Sequence, residues 1–423
     1  MKIVLSYTDL LHNNTSAIEE YITLLCKNID DNDKFIHAFL PEKTREKRLL
    51  KEINNLQKKQ KDRLPLFGLT VGVKDVYYVD GLPTRAGSKL PADAFDGEQA
   101  TIVSQLKSAG ALILGKTVTA EFAFAEPNET VNPVDHTRTP GGSSSGSAAA
   151  VAAGLCDLGL GTQTVGSTLR PASYCVVVGF KCSYGRINAD GVVYFSPSLD
   201  TVGLLTQNVE ILIRIAKVLL KNWKDEEVKR KPILCLPTGK HLEQVETPIL
   251  KIFEKTVELL KANSYHIKEV PMFENISEIN ENIWTLSAYE MVKIHKEWYP
   301  KYKKLYRPRT KNQIETGMKI SEVTYQEMLK RQKELRDIIE DKMQTEGIDF
   351  WITPAASTYP PKISTGITGN PAMNIPWTFA GLPSISVPIK DSGEMPLGLQ
   401  LVAGYGKDEV LLNNAQHIEK IIN

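Results

Sequence analysis

The sequence predicts an α/β fold, built from short apolar strands that alternate with helices. Between residues 68 and 205 brief apolar runs follow helix-like segments, such as a predicted helix at residues 101–109 before a predicted strand at residues 111–114. Strands of this kind, set between helices along the chain, are typical of a sheet that helices cover on both faces. The chain has 423 residues, of which 42% are hydrophobic, and this suffices for one large α/β domain or two ordinary ones.

Outside that region the sequence predicts helices at both ends and a second set of strands. Residues 1–63 are predicted to be helical and highly charged, and we interpret the basic run at residues 57–63 as a solvated helix face. Asp408 is expected to cap a last amphipathic helix. The elements predicted between these ends are a helix at 209–220, a charged connector at 222–231, a strand at 233–236, a helix at 249–260, a strand at 266–270, helices over 275–343, and strands at 350–353, 384–387 and 397–402.

Two segments rich in glycine and serine carry the strongest chemical signal in the chain. Residues 141–147 read GGSSSGS, and residues 161–167 read GTQTVGS. Glycines let the backbone turn tightly, so that several N–H donors and a hydroxyl nucleophile can surround one point. Upstream, Lys74 closes a strand-like run of alternating apolar residues. Two serine-bearing turns and a lysine at a strand end indicate a serine hydrolase that uses no histidine.

Three other interpretations of residues 141–147 fit less well. A flexible Gly/Ser linker is at odds with the run of small apolar residues that follows and with the second glycine-rich turn. A phosphate-binding loop would need the pattern G-x-x-x-x-G-K-[ST], which is absent. The pattern G-x-S-x-G at residues 142–146 would make Ser144 the nucleophile of an α/β-hydrolase elbow. That motif must follow a strand directly, whereas Pro140 favours a loop.

The region from Lys74 to Arg186 resembles the signature region of the amidase signature family of serine amidohydrolases. The matching segments are residues 72–75, 110–111, 115–117, 132–133, 139–144, 161–172 and 179–181, followed in the C-terminal part by residues 352–354, 381–383 and 396–402. The resemblance implies a single large mixed β-sheet flanked by helices on both faces. It also implies an amidase signature domain at residues 64–423 after the N-terminal helical segment. Its signature core would lie at about 68–205, and its substrate-pocket half at about 232–423.

The family's Ser–cis-Ser–Lys unit falls on three residues of this chain. Ser167 matches the nucleophile, Ser143 the serine beside a cis peptide bond, and Lys74 the general base. Ser144 and Thr162 are expected either to complete the hydroxyl network or to be satisfied turn hydroxyls. The oxyanion is expected to bind to the amide N–H groups of Thr164, Val165, Gly166 and Ser167.

These roles predict a hydrolase that cleaves the C–N bond of a small amide or ureido substrate through an acyl-enzyme on Ser167. Ser143 would relay protons, and Lys74 can act as the base only when neutral, so burial must lower its pKa from about 10.4 towards 7–8. The alternative is a glutaminase (A-type) subunit of an amidotransferase complex. A pseudoenzyme is disfavoured because all three catalytic positions are filled.

Several residues depart from the common family pattern. Gln163 stands where aspartate is usual, while Val165, Val176 and Ser145 each stand where glycine is usual. The arginine after the nucleophile, Arg170, comes one residue later than usual. None of these changes removes a catalytic atom. We expect them to alter substrate preference, and they argue against the glutamyl-tRNA amidotransferase branch of the family.

Four residues are candidates for substrate binding. Arg170 is interpreted either as a receptor for a substrate carboxylate or as one member of a buried ion pair. By their position in the family, Tyr289, Asn374 and Trp377 are expected to rim the pocket, although aromatic residues more often serve packing.

Composition limits the remaining classes of function. The net charge of +1 gives no electrostatic argument for a nucleic acid or membrane partner. The partner that the resemblance implies is a small-molecule amide, and a homodimer is left open. An odd number of scattered cysteines, five, together with the absence of a signal peptide, predicts a cytoplasmic protein. No histidine or cysteine pair has the spacing of metal ligands, and we expect neither a metal nor a cofactor.

Overall fold

The computed structural model describes residues 15–57, 64–390, 395 and 397–423, which form ten strands and thirteen α-helices. The strands are β1 (Thr70–Lys74), β2 (Leu112–Thr117), β3 (Leu158–Gln163), β4 (Val178–Lys181), β5 (Thr201–Thr206), β6 (Ile233–Thr238), β7 (His266–Pro271), β8 (Phe350–Pro354), β9 (Ser384–Ile389) and β10 (Leu397–Val402). The helices are α1 (Thr15–Ile36), α2 (Arg45–Gln57), α3 (Thr101–Ser108), α4 (Ser145–Ala152), α5 (Leu169–Cys175), α6 (Val209–Leu219), α7 (Thr247–Ala262), α8 (Ile276–Ile294), α9 (Trp298–Tyr302), α10 (Pro308–Gly317), α11 (Glu322–Glu346), α12 (Ile375–Phe379) and α13 (Asp408–Ile422).

These ten strands form one mixed sheet in the order β2-β1-β3-β5-β4-β9-β10-β8-β6-β7. Strand β1 pairs in parallel with β2 and β3, and β6 pairs in parallel with β7 and β8, whereas the pairs between β3 and β8 are antiparallel. The pair β4–β9 joins the strands of the N-terminal half to those of the C-terminal half. The prediction of a single large mixed sheet flanked by helices is confirmed.

Side chains of β2 show how both faces of the sheet are covered. Leu112 and Leu114 are buried in a cluster with apolar residues of helices α1, α2 and α4. Ile113, between them, belongs to a second cluster with residues of α3, α6 and α13. Successive side chains of a strand point to opposite faces, so these helix sets form two layers with the sheet between them.

Helix α4 lies unusually close to β3, and small residues on both elements make this possible. A Cβ atom added to Gly159 of β3 would come within 2.5 Å of the Ser147 carbonyl oxygen of α4. A Cβ atom added to Gly161 would come within 2.8 Å of the Ser144 hydroxyl oxygen. The glycines of β3 and the alanines of α4 therefore bring the serine-rich turn before α4 against the end of β3.

Some details differ from the sequence-based expectations. The long helical region predicted at residues 275–343 is divided into α8, α9, α10 and α11. Asp408 does not cap the last helix: the cap position is Lys407, and the Asp408 carboxylate accepts hydrogen bonds from the N–H and the hydroxyl of Ser183, both at 2.7 Å. Residues 58–63 of the predicted basic helix face lie outside the described residues. Among the helices in the described ranges, none is long and apolar enough to cross a bilayer.

Candidate active site

Lys74 ends strand β1 and is completely buried. Its Nζ atom donates hydrogen bonds to the hydroxyl oxygens of Ser143, at 2.8 Å, and Thr162, at 2.7 Å. Burial lowers the pKa of the Lys74 ammonium from 10.5 to about 7, although the carboxylate of Asp200 opposes part of this fall. A large fraction of this lysine is therefore neutral near pH 7 and able to accept a proton.

Ser143 lies in the turn before α4, and the peptide bond between Gly142 and Ser143 is cis. The Ser143 carbonyl oxygen accepts hydrogen bonds from the Ala120 N–H and the Thr119 hydroxyl, each at 3.2 Å. With its backbone held in this way and its hydroxyl bonded to Lys74, Ser143 is a fixed neighbour of the lysine.

Ser167 lies in the turn between β3 and α5, at the same edge of the sheet as Lys74 because β1 and β3 are parallel neighbours. Within the described residues its hydroxyl makes no hydrogen bond, and 7% of the residue's surface is exposed. Its carbonyl oxygen accepts a hydrogen bond from the N–H of Ser144 at 3.4 Å. The turn of Ser167 is thus joined directly to the turn of Ser143.

The residues predicted to form the oxyanion site, from Thr164 to Ser167, follow β3 as a turn. In the described part of the chain, none of their four amide N–H groups donates to a protein acceptor. Val165 adopts no left-handed conformation, so its β-branched side chain is accommodated without the strain that a positive φ would impose. The turn therefore offers unused N–H donors beside an unbonded serine hydroxyl.

Gln163 and Thr378 support this turn. The Gln163 carboxamide oxygen accepts from the N–H groups of Thr168, at 2.9 Å, and Leu169, at 3.0 Å. The Gln163 amide donates to the Thr378 hydroxyl at 2.9 Å, and that hydroxyl donates to the carbonyl oxygen of Val165 at 2.8 Å. The role of Thr378 was missed in the sequence, because Thr378 lies 215 residues from Gln163 in the chain.

A second support is a pair of buried acids. The Asp200 carboxylate accepts hydrogen bonds from the Thr164 hydroxyl and from the N–H groups of Phe195, at 2.7 Å, and Ser196, at 3.0 Å. Glu290 of α8 accepts from the Ser196 hydroxyl at 2.5 Å. Burial raises the pKa of Asp200 to about 6. Neither Asp200 nor Glu290 was identified from the sequence as part of the site.

Further bonds fix the same loop to the helices of the C-terminal half. Glu290 also accepts from the N–H of Ser198 at 3.1 Å, from the Ser198 hydroxyl, and from the hydroxyl of Tyr325 of α11 at 2.9 Å. The Ser198 carbonyl oxygen accepts from Gln332 at 3.1 Å. The loop that holds Asp200 is therefore anchored to α8 and α11.

Ser144 and Thr162 differ in their surroundings. The Thr162 hydroxyl accepts from Lys74, so it belongs to the network of the lysine. The Ser144 hydroxyl instead bonds to the backbone of Thr162, accepting from its N–H at 3.3 Å and donating to its carbonyl oxygen at 3.2 Å. A loop, not a strand, precedes Ser144. These contacts favour Ser144 as a satisfied turn hydroxyl over a nucleophile at an elbow.

Arg170 of α5 is buried without a carboxylate partner among the described residues. Its guanidinium donates to the carbonyl oxygens of Gly142, at 2.5 Å, and Gly369, at 2.9 Å, while its Nε–H has no partner there. Burial lowers the pKa of Arg170 to about 10. Among the described residues no carboxylate forms the ion pair that the sequence left open for Arg170. The carbonyl group of Gly142, to which the guanidinium donates, belongs to the peptide bond that leads into Ser143.

The other three candidates for substrate binding lie in different settings. Asn374 donates to the carbonyl oxygen of Ala355 and to Gln400, and its own side-chain oxygen, which has no described partner, lies against Gly166. Trp377 is fully buried among other aromatic rings. Tyr289 stacks on the ring of Tyr325 and donates to Glu322, and none of its described contacts involves Lys74, Ser143 or Ser167.

A family model described as Amidase matches residues 20–412 of this chain. The chain belongs to the amidase signature family. As a member, it is an amidohydrolase, acting on linear carbon–nitrogen bonds other than peptide bonds. A solved structure described as an amidase shares 29% sequence identity, covers 96% of each chain and superposes with a TM-score of 0.87.

Several curated relatives of this amidase share one name. The A-type component of the glutamyl-tRNA(Gln) amidotransferase of Sulfurisphaera tokodaii is 30% identical, over 100% of this chain and 98% of the relative. The protein of the same name from Staphylococcus carnosus is 28% identical, over 98% of this chain and 96% of the relative. The solved structure of the same component from Thermotoga maritima shares the fold, with a TM-score of 0.80 and 24% sequence identity. The match covers 98% of this chain and 94% of the Thermotoga chain. These names count against the expectation that the departures at residues 145, 163, 165, 170 and 176 argue against this branch.

Proposed function

We propose that this amidase hydrolyses a small amide or ureido compound through a covalent acyl-enzyme on Ser167. The observation that carries the proposal is the 2.8 Å hydrogen bond between Lys74 Nζ and the Ser143 hydroxyl in a fully buried site. A serine hydroxyl is a weak nucleophile until a base takes its proton, and a lysine with a pKa of about 7 can be that base. Nearby, Ser167 offers a hydroxyl that is not committed to another partner in the described residues.

Ser167, Ser143 and Lys74 together can carry the protons of the whole reaction. The Ser167 oxygen bonds to the substrate carbonyl carbon, its proton passes to Ser143, and the proton of Ser143 passes to Lys74. The tetrahedral oxyanion accepts hydrogen bonds from the N–H groups of the turn, each worth about 3–4 kcal/mol when well aimed. The C–N bond then breaks as the proton returns through Ser143 to the leaving nitrogen. Water attacks the resulting ester by the same relay and releases the acid.

The relay role of Ser143 can be tested within its own loop. Ser143→Ala is expected to lower kcat by about 10²–10⁴-fold with a small change in KM, since the lost proton transfer belongs to the transition state. Ser145→Gly is the matched control, because it restores the commoner family residue and the Ser145 hydroxyl bonds to Asn128, not to Lys74. Steady-state kinetics of both variants give the comparison. Equal, mild effects would mean that Lys74 reaches Ser167 without Ser143.

We further propose that Arg170 receives a carboxylate group of the substrate. Its guanidinium is buried without a described counter-ion, and burying a cation in this state is costly unless an anion pairs with it. Its bonds to Gly142 and Gly369 place it between the relay turn and the loop that leads to α12. A substrate with an amide at one end and a carboxylate at the other would reach from Ser167 to Arg170.

This substrate class predicts a preference between matched amides. Succinamate, which carries a carboxylate, is expected to exceed butanamide in kcat/KM by at least about tenfold, because charge-assisted bonds to a buried guanidinium are strong. Arg170→Met should remove most of this difference by raising KM for succinamate, while Arg170→Lys should retain part of it. Ammonia release measures all three enzymes. If Arg170→Met slowed both amides equally, the arginine would act only on the two carbonyl groups that it holds.

A second candidate is the glutaminase component of an amidotransferase, and the names of the curated relatives favour it over a stand-alone enzyme. Glutamine also carries a carboxylate and a primary amide, so the same site would suit it. Ammonia release by the purified chain, with glutamine and succinamate in one panel, separates the candidates. A clear preference for glutamine would support the amidotransferase component, whereas hydrolysis of succinamate without hydrolysis of glutamine would support the stand-alone amidohydrolase.

A further inference from the structure

Gln163 and Thr378 form a hydrogen-bonded pair beside the oxyanion turn, and both side chains are buried. The chain of bonds runs from the Gln163 amide to the Thr378 hydroxyl and from that hydroxyl to the carbonyl oxygen of Val165. Both bonds, at 2.9 and 2.8 Å, have the length of good hydrogen bonds. The pair therefore holds one particular carbonyl group of the turn.

Holding that carbonyl group orients the next N–H group. A trans peptide unit is planar, so the C=O of Val165 and the N–H of Gly166 point in opposite directions. With the Val165 oxygen bonded to Thr378, the Gly166 N–H points away from Thr378, where no protein acceptor among the described residues meets it. The bond to Thr378 thus sets the direction of one of the donors available to the oxyanion.

Gln163 also holds the far side of the nucleophile. Its carboxamide oxygen accepts from the N–H of Thr168. That N–H shares a peptide plane with the carbonyl of Ser167, which accepts from the N–H of Ser144. The Gln163 carboxamide therefore holds the peptide unit after Ser167 directly and, through Thr378, the peptide unit before Gly166.

A carboxamide can make all of these bonds together, whereas an ionised carboxylate cannot. A threonine hydroxyl has a single proton, and here that proton goes to Val165, so Thr378 needs a donor as its other partner. Ionised aspartate, the commoner family residue at position 163, is an acceptor only. Gln163 supplies the donor to Thr378 and still accepts from Thr168 and Leu169.

We propose that Gln163 and Thr378 are positioning residues that aim the N–H groups of the turn at the oxyanion. Neither residue touches the substrate in this role, which rests on the proposed acyl-enzyme at Ser167. The departure from aspartate at position 163 is thereby matched to a threonine 215 residues further along the chain.

A fluorophosphonate measures this role without knowledge of the natural substrate. The Ser167 oxygen bonds to phosphorus and fluoride leaves, while the serine proton passes to Ser143 and Lys74 and the phosphoryl oxygen occupies the oxyanion site. Thr378→Val, which keeps the shape and removes the hydroxyl, is expected to slow labelling of Ser167 by at least about tenfold. Thr378→Ser keeps the hydroxyl and should stay within about threefold of the parent. Melting temperatures of both variants report folding.

Gln163→Glu provides an independent test that does not rely on Thr378→Val folding. Glutamate has nearly the same shape as glutamine, but its ionised carboxylate cannot donate a hydrogen bond to Thr378. The variant should therefore also slow labelling of Ser167 by at least about tenfold. The double variant should be little slower than either single variant, because each change breaks the same chain of bonds. The positioning role would be overturned if the two single changes slowed labelling independently, so that their effects multiplied in the double variant. An unchanged labelling rate in a folded Thr378→Val would overturn it as well. A parent protein labelled at a residue other than Ser167 would instead overturn the proposed function.

Discussion

Replacing Ser167 by alanine is expected to abolish amide hydrolysis while leaving the fold intact. The change removes the atom that would bond to the substrate, and losses of about 10⁴–10⁶-fold in kcat follow removal of a serine nucleophile. The structure gives no reason for instability, because the Ser167 hydroxyl makes no hydrogen bond in the described residues and the bond between Ser144 and Ser167 uses the backbone. Ammonia release and thermal melting, measured on the same preparation, check both halves of this expectation.

The position of a covalent label decides which serine is the nucleophile. A fluorophosphonate should modify Ser167 in the parent protein and leave Ser167→Ala unlabelled. Peptide mapping that placed the label on Ser144 would instead favour an α/β-hydrolase elbow, against the hydrogen bonds that Ser144 makes with Thr162.

Lys74→Met is the second change with a large expected effect. It removes the proposed general base, and kcat should fall by at least about 10²–10⁴-fold, with a further loss because Ser167 is no longer activated. Methionine is close to lysine in length and carries no charge, so it suits the buried position. We expect only a small change in melting temperature, because the cost of burying an ionisable group is removed while the hydrogen bonds to Ser143 and Thr162 are lost.

The pH dependence of the parent enzyme follows from the same lysine. Burial lowers the pKa of Lys74 to about 7, so the neutral, active form increases as the pH rises through this value. The rate, kcat/KM, should therefore climb between about pH 6 and 8 and then level off. A histidine base would give a similar curve, so His136→Asn serves as the control; His136 is exposed and should be dispensable. If His136→Asn lowered kcat/KM as much as Lys74→Met does, the mechanism without histidine would be wrong.

The sheet and the groups proposed to react were predictable because their signals are local. Strands such as β1 and β3 are short apolar runs, and the turns after them are marked by glycines and serines within a few residues. The resemblance to the family then assigned a role to each of Lys74, Ser143 and Ser167. The structure places Lys74 in contact with Ser143 and joins the turns of the two serines.

The supports of the turn could not be predicted, because their partners are far apart in the chain. The bond between Gln163 and Thr378 spans 215 residues, and the bond between Ser196 and Glu290 spans 94. No local pattern reports such a pairing; it depends on the packing of α8 and α12 against the turns of the N-terminal half. For the same reason, the sequence left two interpretations of an aromatic residue such as Trp377, as part of a pocket or, more often, of the core; the structure buries it completely.

The division of the site between the two halves of the chain affects how such an enzyme can diverge. Lys74, Ser143 and Ser167 all precede β6, whereas two of the supporting residues come from helices after it. Thr378 bonds to the turn of Ser167, and Glu290 bonds to the loop that holds Asp200. The residues proposed to react and several of those that support them are therefore encoded in separate stretches of the gene. If the proposed roles hold, substitutions in α8 and α12 would change the turnover number while Lys74, Ser143 and Ser167 stay the same.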